Sequence, residues 1–578
     1  MNRGLALKFF SFSSVLFACH SSLITQSTVF SDDNNVTISL TGYNSSESND
    51  RAFTQQTTFA ASSNLTIDII NIPQTVSFII AQVHTYQYNV TLSYDQTSFN
   101  TSSNSVFGTN LGLVVVINGG SAAQVFVSND NIVDVDALLA VVAYPVTAPM
   151  PGGCNMEFGL EIAPFQKLVV NEATVIVDAQ PAAAPMTQEI SNSCEQHPVH
   201  HESYRLYLPE QDFTTETYFL AIKNMLTVQD VVRNAKQVPV LANTSPMRRI
   251  YSAYPGTGAS YVVIATYGNY SAAYVPIFTY ACSPLFWKDT CQVLTTTLSK
   301  FLCAATLFLG IFIAFLGHKF VKTEIFLLGC LSGWMISYII LVICEVFSPT
   351  GNINIALAVG IITGIVWLKL WLSYGIPLLL ILLAAITVGS FFACIVYFSV
   401  PDGLALLEND LNFWLIFFLV ILTTVLVLCV LSYRANIICC AVLGSYAVIL
   451  PIDYYIGSNL KYIVINAIRR ATVTGFNLAI IHPPFQIKDI ILTCVWIIIK
   501  IFGTKVQLRQ NKGRPPFPPA ASNSTSRRRR HTERTPLLVS STVPIFILGN
   551  ESDDVFYSPN HSWFNSILKP CWPRSRNV

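Results

Sequence analysis

The sequence is poor in charged residues. Asp, Glu, Lys and Arg make up 11% of its 578 residues, whereas a soluble globular chain carries about 25%. Hydrophobic residues reach 52%, so we expect much of the chain to lie in lipid. The net charge is only +1, which leaves no basic excess to attract nucleic acid, and we predict no nucleic-acid partner.

Long apolar runs are missing from the first 294 residues, so this part is not expected to cross a membrane. One short run, from Phe9 to Ala18, follows Arg3 and Lys8 and precedes small residues. This pattern is typical of a secretory signal peptide; the alternative is a buried N-terminal strand. We predict a signal peptide over residues 1–22, with cleavage between Ala18 and Gln26.

Short β-branched runs, separated by Asn, Gly, Ser and Pro, dominate residues 27–294. They are typical of strands in an all-β sandwich or barrel. We predict a β-rich, sandwich-like lumenal or extracellular region of two modules, over residues 27–165 and 166–294. The stretch 206–236 has apolar residues every three or four positions and predicts helix. The strand runs are NLTIDIINI, TVSFIIAQV, LGLVVVIN, AQVFVS, LLAVVAYPV, EATVIVDA and YVVIATYG.

Seven N-x-Ser/Thr sequons lie in the same region. Behind a signal peptide each one is a candidate glycosylation site on a surface loop. Their asparagines are Asn35, Asn44, Asn64, Asn89, Asn100, Asn243 and Asn269.

Four cysteines of this region suggest two disulfides, because the compartment is oxidising. Three pairings of Cys154, Cys194, Cys282 and Cys291 are possible, and we favour the local pairs Cys154–Cys194 and Cys282–Cys291. Eight further cysteines lie in or beside apolar runs and are expected to pack as free thiols.

One cluster of polar residues resembles a metal site. The stretch HPVHHES brings together His197, His200, His201 and Glu202, which are ligand types that zinc uses. Pro198 prevents a helix that would place them on one face, so we predict a solvated loop and no metal or other cofactor.

The composition changes sharply near residue 295. Seven apolar segments follow up to residue 505, each near the length of a helical span, and they predict a seven-span α-helical bundle. The last is the weakest, because Lys488 and Asp489 lie within its start. The segments are 297–317, 325–347, 353–372, 376–398, 412–433, 436–456 and 486–503.

The positions of the basic residues predict a lumenal N-terminus and a cytosolic C-terminus. The predicted cytosolic connections carry Lys319, Lys322, Lys369 and Arg434, whereas the first two lumenal connections carry no Lys or Arg. The third lumenal connection breaks the rule with Lys461, Arg469 and Arg470. We predict that its stretch 460–481 is an amphipathic helix on the membrane surface.

Charges that would mark a transport path are scarce in the predicted spans. Lys300, Glu345, Asp453 and Lys500 all lie near predicted ends, where long side chains reach the interface. The third segment contains Gly360 and Gly364, four residues apart, and we expect them to serve packing within the bundle rather than dimerisation.

The tail, residues 506–578, is basic and proline-rich at first and is predicted to be cytosolic and largely disordered. Its four consecutive arginines favour contact with anionic lipid over nuclear targeting. Glu533 precedes Leu537 and Leu538 by four and five residues, which resembles the acidic dileucine sorting signal that clathrin adaptors bind. Pro536 keeps this segment out of a helix, so that it can bind extended.

Several colinear blocks resemble the transmembrane 7 superfamily member 3 family. They are PGGCNMEFGLEI, YSAAYVPIFTYAC, GHKFVKTEIFLLG, LGSYAVIL, NAIRRA, GRPPFPP and ERTPLL. The resemblance implies a signal peptide, a glycosylated lumenal region, seven spans and a cytosolic C-terminus. It also implies a non-enzymatic role in cell survival and in restraining the stress response to misfolded protein, with no catalytic residues. Family members end close to ERTPLL, so residues 539–578 have no counterpart.

Two other functions stay open. A seven-span receptor coupled to a G protein fits the span count, but its third segment ends in WLKLWL without an Asp/Glu-Arg-Tyr motif. A transporter or membrane enzyme lacks intramembrane acids and any nucleophile motif. We expect a multi-pass protein of the plasma membrane, the endolysosomal membranes or both. Its expected partners are membrane lipid, clathrin adaptors and a lumenal partner or ligand of unknown identity.

Overall fold

The structure is a computed structural model, and all its described residues belong to one compact unit. It describes residues 31–32, 35–43, 51–97, 99, 104–117, 119–154, 165–185, 199–241, 247–286, 290–291, 297–345, 347–401, 404–431, 433–483 and 485–512. The predicted signal peptide lies outside these residues, and so does the predicted tail from residue 513 onward. Residues 506–510, predicted as the start of the disordered tail, are helical instead.

The first module is a sandwich of two sheets, which we call the first sandwich. One sheet has the order β1-β2-β4-β9-β6-β7 and the other β3-β10-β5-β8. Inward-facing residues of both sheets, such as Ile69, Val127, Val83 and Val141, form a shared core. The strands are β1 Ser31–Asp32, β2 Asn35–Ser39, β3 Ala52–Phe59, β4 Ser63–Ile70, β5 Val76–Thr85, β6 Val90–Ser93, β7 Ser105–Gly108, β8 Asn110–Val116, β9 Ala122–Asn129 and β10 Val135–Pro145.

The second module is a second sandwich. Its sheets have the orders β11-β12-β15-β19 and β14-β13-β16-β17, and β18 pairs with β16. Together with the first sandwich it contains all seven predicted strand runs. The strands are β11 Gln166–Val170, β12 Thr174–Ala179, β13 His200–Glu210, β14 Lys236–Val238, β15 Arg248–Ser252, β16 Thr257–Tyr267, β17 Tyr270–Ala273, β18 Ile277–Thr279 and β19 Ala479–Ile480.

Two sequence expectations for the second sandwich are wrong in part. The predicted helix over 206–236 is two helices, α1 Thr215–Lys223 and α2 Val228–Asn234, and its first residues belong to β13. His200 to Glu202 lie in β13 too, not in a loop, because this stretch pairs with β16 along its length. The Nε2 atom of His201 accepts a hydrogen bond from the Ala182 N–H at 3.0 Å. No group of three or more metal-ligand side chains occurs within the described ranges.

The two sandwiches share a buried contact. Tyr218 of α1 packs with Leu138 and Ala140 of β10 in one apolar cluster. Its hydroxyl donates to the carbonyl of Thr85 at 2.8 Å and lies 2.9 Å from Asn110 Oδ1. The first sandwich therefore lies directly against the second.

The helical region has seven long helices among the described residues. Six of them are long and apolar enough to cross a membrane: Lys300–Lys319, Val321–Cys344, Gly351–Tyr374, Pro377–Ser399, Asp410–Leu431 and Arg434–Ile456. The helix over the weakest predicted span is not among the six and includes Lys488, Asp489 and Lys500. The helices are α3 Thr297–Leu316, α4 Val321–Cys344, α5 Pro349–Tyr374, α6 Pro377–Ser399, α7 Ala405–Glu408, α8 Asp410–Leu431, α9 Tyr433–Ile456, α10 Tyr462–Thr472 and α11 Ile487–Gln510.

Glycines bring two pairs of helices into close contact. A Cβ added at Gly364 would lie 2.7 Å from the Phe326 carbonyl oxygen, so Gly360 and Gly364 serve packing of α5 against α4, as expected. A second contact of the same kind was not predicted. A Cβ at Gly444 of α9 would lie 2.4 Å from the Ala314 nitrogen of α3. Small residues thus allow close packing at two helix contacts of the bundle, between α4 and α5 and between α3 and α9.

Candidate functional site

The candidate functional site is the contact between the second sandwich and the residues that connect α9 to α11. We call the connecting residues 457–483 the junction segment. It contains α10 and β19 and covers the three basic residues that break the predicted charge rule.

The junction segment contributes a strand to the second sandwich. Ala479 and Ile480 of β19 pair in parallel with Ile250 and Tyr251 of β15. The Ile480 side chain is 2% exposed and lies in the core between the two sheets. The helical region therefore completes the fold of the second sandwich.

Lys461 forms a buried ion pair across this contact. Its Nζ atom lies 2.7 Å from Glu210 Oε1, at the end of β13, and 3.7 Å from Asp453 Oδ2 in α9. It also donates to the Ser458 carbonyl at 2.6 Å. Glu210 is 5% exposed and Asp453 is fully buried. Burial raises the pKa of Glu210 to about 7, although the nearby Lys461 opposes this shift. Two buried carboxylates therefore share one ammonium group.

A polar cavity of about 190 Å³ opens beside this ion pair. Glu210, Lys300 and Lys461 supply its charged walls, and Cys291 of the Cys282–Cys291 disulfide lies in its lining. The Oε2 atom of Glu210 is buried and has no hydrogen-bond partner. This disulfide is one of the two predicted. It joins two cysteines at the end of the second sandwich, just before α3 in the chain.

The Arg469 guanidinium binds the second sandwich directly. It donates to Ser252 Oγ at 3.0 Å and to the Ala253 carbonyl at 2.7 Å. Ser252 Oγ also donates to Asn466 Oδ1 at 3.0 Å, one turn earlier in α10. Burial lowers the pKa of Arg469, but an arginine in a protein stays protonated. This charge is therefore satisfied by oxygen atoms of the sandwich.

Aromatic contacts fill the space between these polar groups. The ring of Tyr254 meets the ring of Tyr462 edge to face, with centroids 4.6 Å apart. The Tyr254 hydroxyl donates to the Ile481 carbonyl. Burial raises the pKa of Tyr254, so this hydroxyl keeps its proton and remains a donor.

Arg470 points to the other side of α10 and binds the connection between α6 and α8. Its guanidinium lies 2.7 Å from Asp410 Oδ1, donates to the Leu407 carbonyl at 3.0 Å and covers the Phe413 ring at 4.7 Å. Asp489, at the start of α11, accepts the Asn459 N–H at 2.7 Å. The junction segment thus connects the second sandwich with α7, α8 and α11.

These contacts correct the prediction of an amphipathic helix on the membrane surface. The helix is present, but Tyr462, Ile463, Asn466 and Arg470 are buried by protein. The three basic residues are used in contacts with protein atoms.

Sequence reasoning missed most of this site. Asp453 was noted only as a charge near a span end, and Glu210 was not noted at all. Glu324 was also missed, because the predicted second span began at residue 325. In the structure α4 begins at Val321, so that Glu324 lies inside a candidate span and is 7% exposed.

Of the remaining predicted site residues, some lie within the described residues and the others lie outside them. Asn35, Asn64, Asn89 and Asn269 are exposed. Cys154 is disulfide-bonded, and the eight other described cysteines outside the Cys282–Cys291 pair are free thiols. Lying outside the described residues are Asn44, Asn100, Asn243, Cys194, Glu533, Leu537 and Leu538.

Comparison with family models divides the chain into three parts. Residues 44–144 match a TM7SF3-like, N-terminal immunoglobulin-like domain, and residues 149–285 match a TM7SF3-like, second immunoglobulin-like domain. Residues 303–508 match a TM7S3/TM198-like domain. The two sandwiches and the helical region thus correspond to three recognised domains.

Whole-chain relatives agree with these matches. The chain is 30% identical over 465 residues to Transmembrane 7 superfamily member 3 of Homo sapiens, which covers 78% of this chain and 80% of that protein. The Rattus norvegicus protein of the same name is 29% identical over 460 residues, covering 78% of this chain and 81% of that protein. A solved glycoside hydrolase domain, Endo-D from Streptococcus pneumoniae R6, covers 40% of this chain and 33% of its own at 10% identity. The TM-score of this comparison is 0.11.

Proposed function

Since this chain belongs to the transmembrane 7 superfamily member 3 family, we propose that it is a non-enzymatic membrane glycoprotein that supports cell survival by restraining the stress response to misfolded protein. In this proposal the two immunoglobulin-like sandwiches bind a lumenal partner. The helices then transmit the resulting conformational change across the membrane. The observation that supports it is the shared sheet and the buried Glu210–Lys461 pair. A movement of the second sandwich would act on α9, α10 and α11 without a flexible linker between them.

We further propose seven spans, with the sandwiches in the lumen or outside the cell and the tail in the cytosol. Six helices qualify as spans by length and composition. The packing of α11 supports a seventh span: Gly503 of α11 lies close to Ala314 of α3, and the Trp496 indole donates to Ser445 Oγ of α9 at 3.1 Å. A helix held this tightly between two spans runs alongside them. An epitope tag after Val578 should then be reached by antibody only after the plasma membrane is permeabilised.

The stress role is tested in cells that lack the protein. We expect a reporter of the unfolded protein response to rise in these cells and to return to its normal level when the wild-type chain is expressed. Lys461→Met, which removes the shared ammonium group, should restore the reporter less well at equal surface and total amounts. The matched control is Lys488→Met, an exposed lysine at the same end of the bundle. If loss of the chain leaves the reporter unchanged, the proposed role is wrong.

The location is tested separately. We propose that Glu533, Leu537 and Leu538 form a dileucine signal that clathrin adaptors bind. A chain with both Leu537→Ala and Leu538→Ala should accumulate at the cell surface and overlap less with lysosomes than the wild type. The control is Leu548→Ala, a single leucine further along the tail. Identical distributions of the double mutant and the wild type would rule out this signal.

A further inference from the structure

A second cavity lies within the helical region, away from the junction segment. It has a volume of about 420 Å³, within the usual range of small-molecule sites, and α3, α4 and α9 form most of its walls. The lining is almost entirely apolar. Glu324 is the single charged side chain among its lining residues.

The position of Glu324 is costly unless something compensates its charge. The side chain is 7% exposed, and no lysine, arginine or histidine of the described ranges forms an ion pair with it. A carboxylate inside a bilayer normally pairs with another group and marks a functional position. The chain supplies an amide and a thiol instead, since Asn436 Nδ2 donates to Glu324 Oε2 at 2.9 Å and the Cys440 thiol donates to the same carboxyl group.

One hydrogen-bond acceptor beside the Glu324 carboxyl group is left without a donor. Asn436 Oδ1 is buried and has no partner, and it belongs to the same amide that contacts the Glu324 carboxylate. A ligand that fits must therefore donate hydrogen bonds, and a positive charge would match the carboxylate best.

The rest of the cavity fits one hydrocarbon chain. Its lining runs along α4 from Glu324 to Trp334, which is about 15 Å at the rise of an α-helix. This is about half of the ~30 Å hydrocarbon core, so the cavity spans the depth of one leaflet. Leu331 and Leu309 line it and are 42% and 38% exposed, which leaves its side open to lipid.

We propose that this cavity binds a single-chain amphiphile with a protonated amine head group. The ammonium group lies against Glu324 and the alkyl chain extends between α3 and α4 toward Trp334. A long-chain amine of the bilayer has this chemistry, whereas a fatty acid would place a second carboxylate beside Glu324.

The test uses the full chain in lipid nanodiscs and a photoactivatable, 16-carbon amine probe. We expect saturable labelling of α3 and α4 peptides, identified by mass spectrometry. Glu324→Gln keeps the shape and the contact with Asn436 but removes the charge, and should lower labelling about ten-fold or more. The matched control, Glu345→Gln, changes an exposed carboxyl at the other end of the same helix and should leave labelling unchanged.

Two further measurements test the apolar part of the cavity and the head group of the probe. Leu331→Trp fills the apolar part without touching the carboxylate and should also abolish labelling, and a thermal unfolding profile shows that each variant is folded. Probes of equal chain length with a carboxyl or a hydroxyl head should label the wild type at least ten-fold less. Equal labelling by all three probes, or unchanged amine labelling of both Glu324→Gln and Leu331→Trp, would overturn the proposal.

Discussion

Lys461 is held by carboxylates from two different parts of the chain. Glu210 belongs to the second sandwich, whereas Asp453 belongs to α9, and Lys461 lies between them at 8% exposure. Removing such groups from water costs about as much as their attraction returns, so a buried ion pair adds little net stability. Loss of one partner, in contrast, leaves an uncompensated charge. The ion pair therefore determines the orientation of the second sandwich on the helices more than it contributes to the stability of the contact.

We expect the protein to lose stability as the pH rises from about 4.3 to about 7. Burial raises the pKa of Glu210 to about 7 in the folded state, whereas an unfolded Glu has a pKa of about 4.3. Between these values the folded state binds more protons, so the free energy of unfolding falls by about 1.4 kcal/mol per pH unit. The stabilisation is complete below about pH 4.3 and is lost above about pH 7.

Thermal unfolding of the purified full chain from pH 5 to pH 8 measures this effect. Glu210→Gln cannot titrate and should flatten the decrease in Tm with pH. Glu216→Gln, an exposed carboxyl on α1 of the same sandwich, should behave like the wild type. A Tm that falls equally with pH in the wild type and in Glu210→Gln would show that another group titrates.

Helix pairs in the bundle depend on positions where a side chain has no room. Gly310 of α3 and Gly444 of α9 face each other, and a Cβ on either would meet backbone atoms of the opposite helix within 2.8 Å. Backbone atoms cannot rotate away as a side chain can. Apolar grouping alone gives no attraction between helices in lipid, so close packing of this kind holds α3 to α9.

Gly444→Ala should separate these two helices and destabilise the bundle by about 1–3 kcal/mol, the usual cost of overpacking. The expected readout is a lower Tm of the full chain in detergent and a lower yield of monodisperse protein. Ala358→Val adds bulk at an exposed position of α5 and should change neither. If Gly444→Ala matches the wild type, α3 and α9 are not packed as described.

The sequence predicted those elements whose signal is strong and local. Short β-branched runs placed seven of the nineteen described strands, and apolar length placed the long helices. The strand β19 was not predicted, because it has only two residues and pairs with β15, which lies far earlier in the chain. The contacts of the junction segment were not predicted for a related reason. A basic residue beside an apolar helix face is compatible both with binding to lipid head groups and with binding to a neighbouring domain. Glu324 was missed through an error of one residue in a span boundary.

At the scale of the whole molecule, we expect any N-linked carbohydrate to lie on the sandwiches, because the sequons that are described there are exposed. Asn35, Asn64 and Asn89 lie on the first sandwich and Asn269 lies on the second, and all four are exposed. Each Asn→Gln change should remove one increment of mass that peptide-N-glycosidase releases from the wild-type chain. Asn234→Gln, an exposed asparagine outside any sequon, is the control and should leave the gel mobility unchanged. A chain without any enzyme-sensitive increment would contradict a lumenal position of the sandwiches.

The parallel pairing of β15 with β19 sets the order in which the newly made chain can fold. About 230 residues of chain separate the two strands, and synthesis at 5–20 residues per second takes about 10–45 s to cover them. During this interval β15 presents an open edge of the kind that recruits other strands. The second sandwich is therefore completed only after α3 to α10 have been made, and a chain in which β19 fails to reach β15 keeps an unpaired sheet edge.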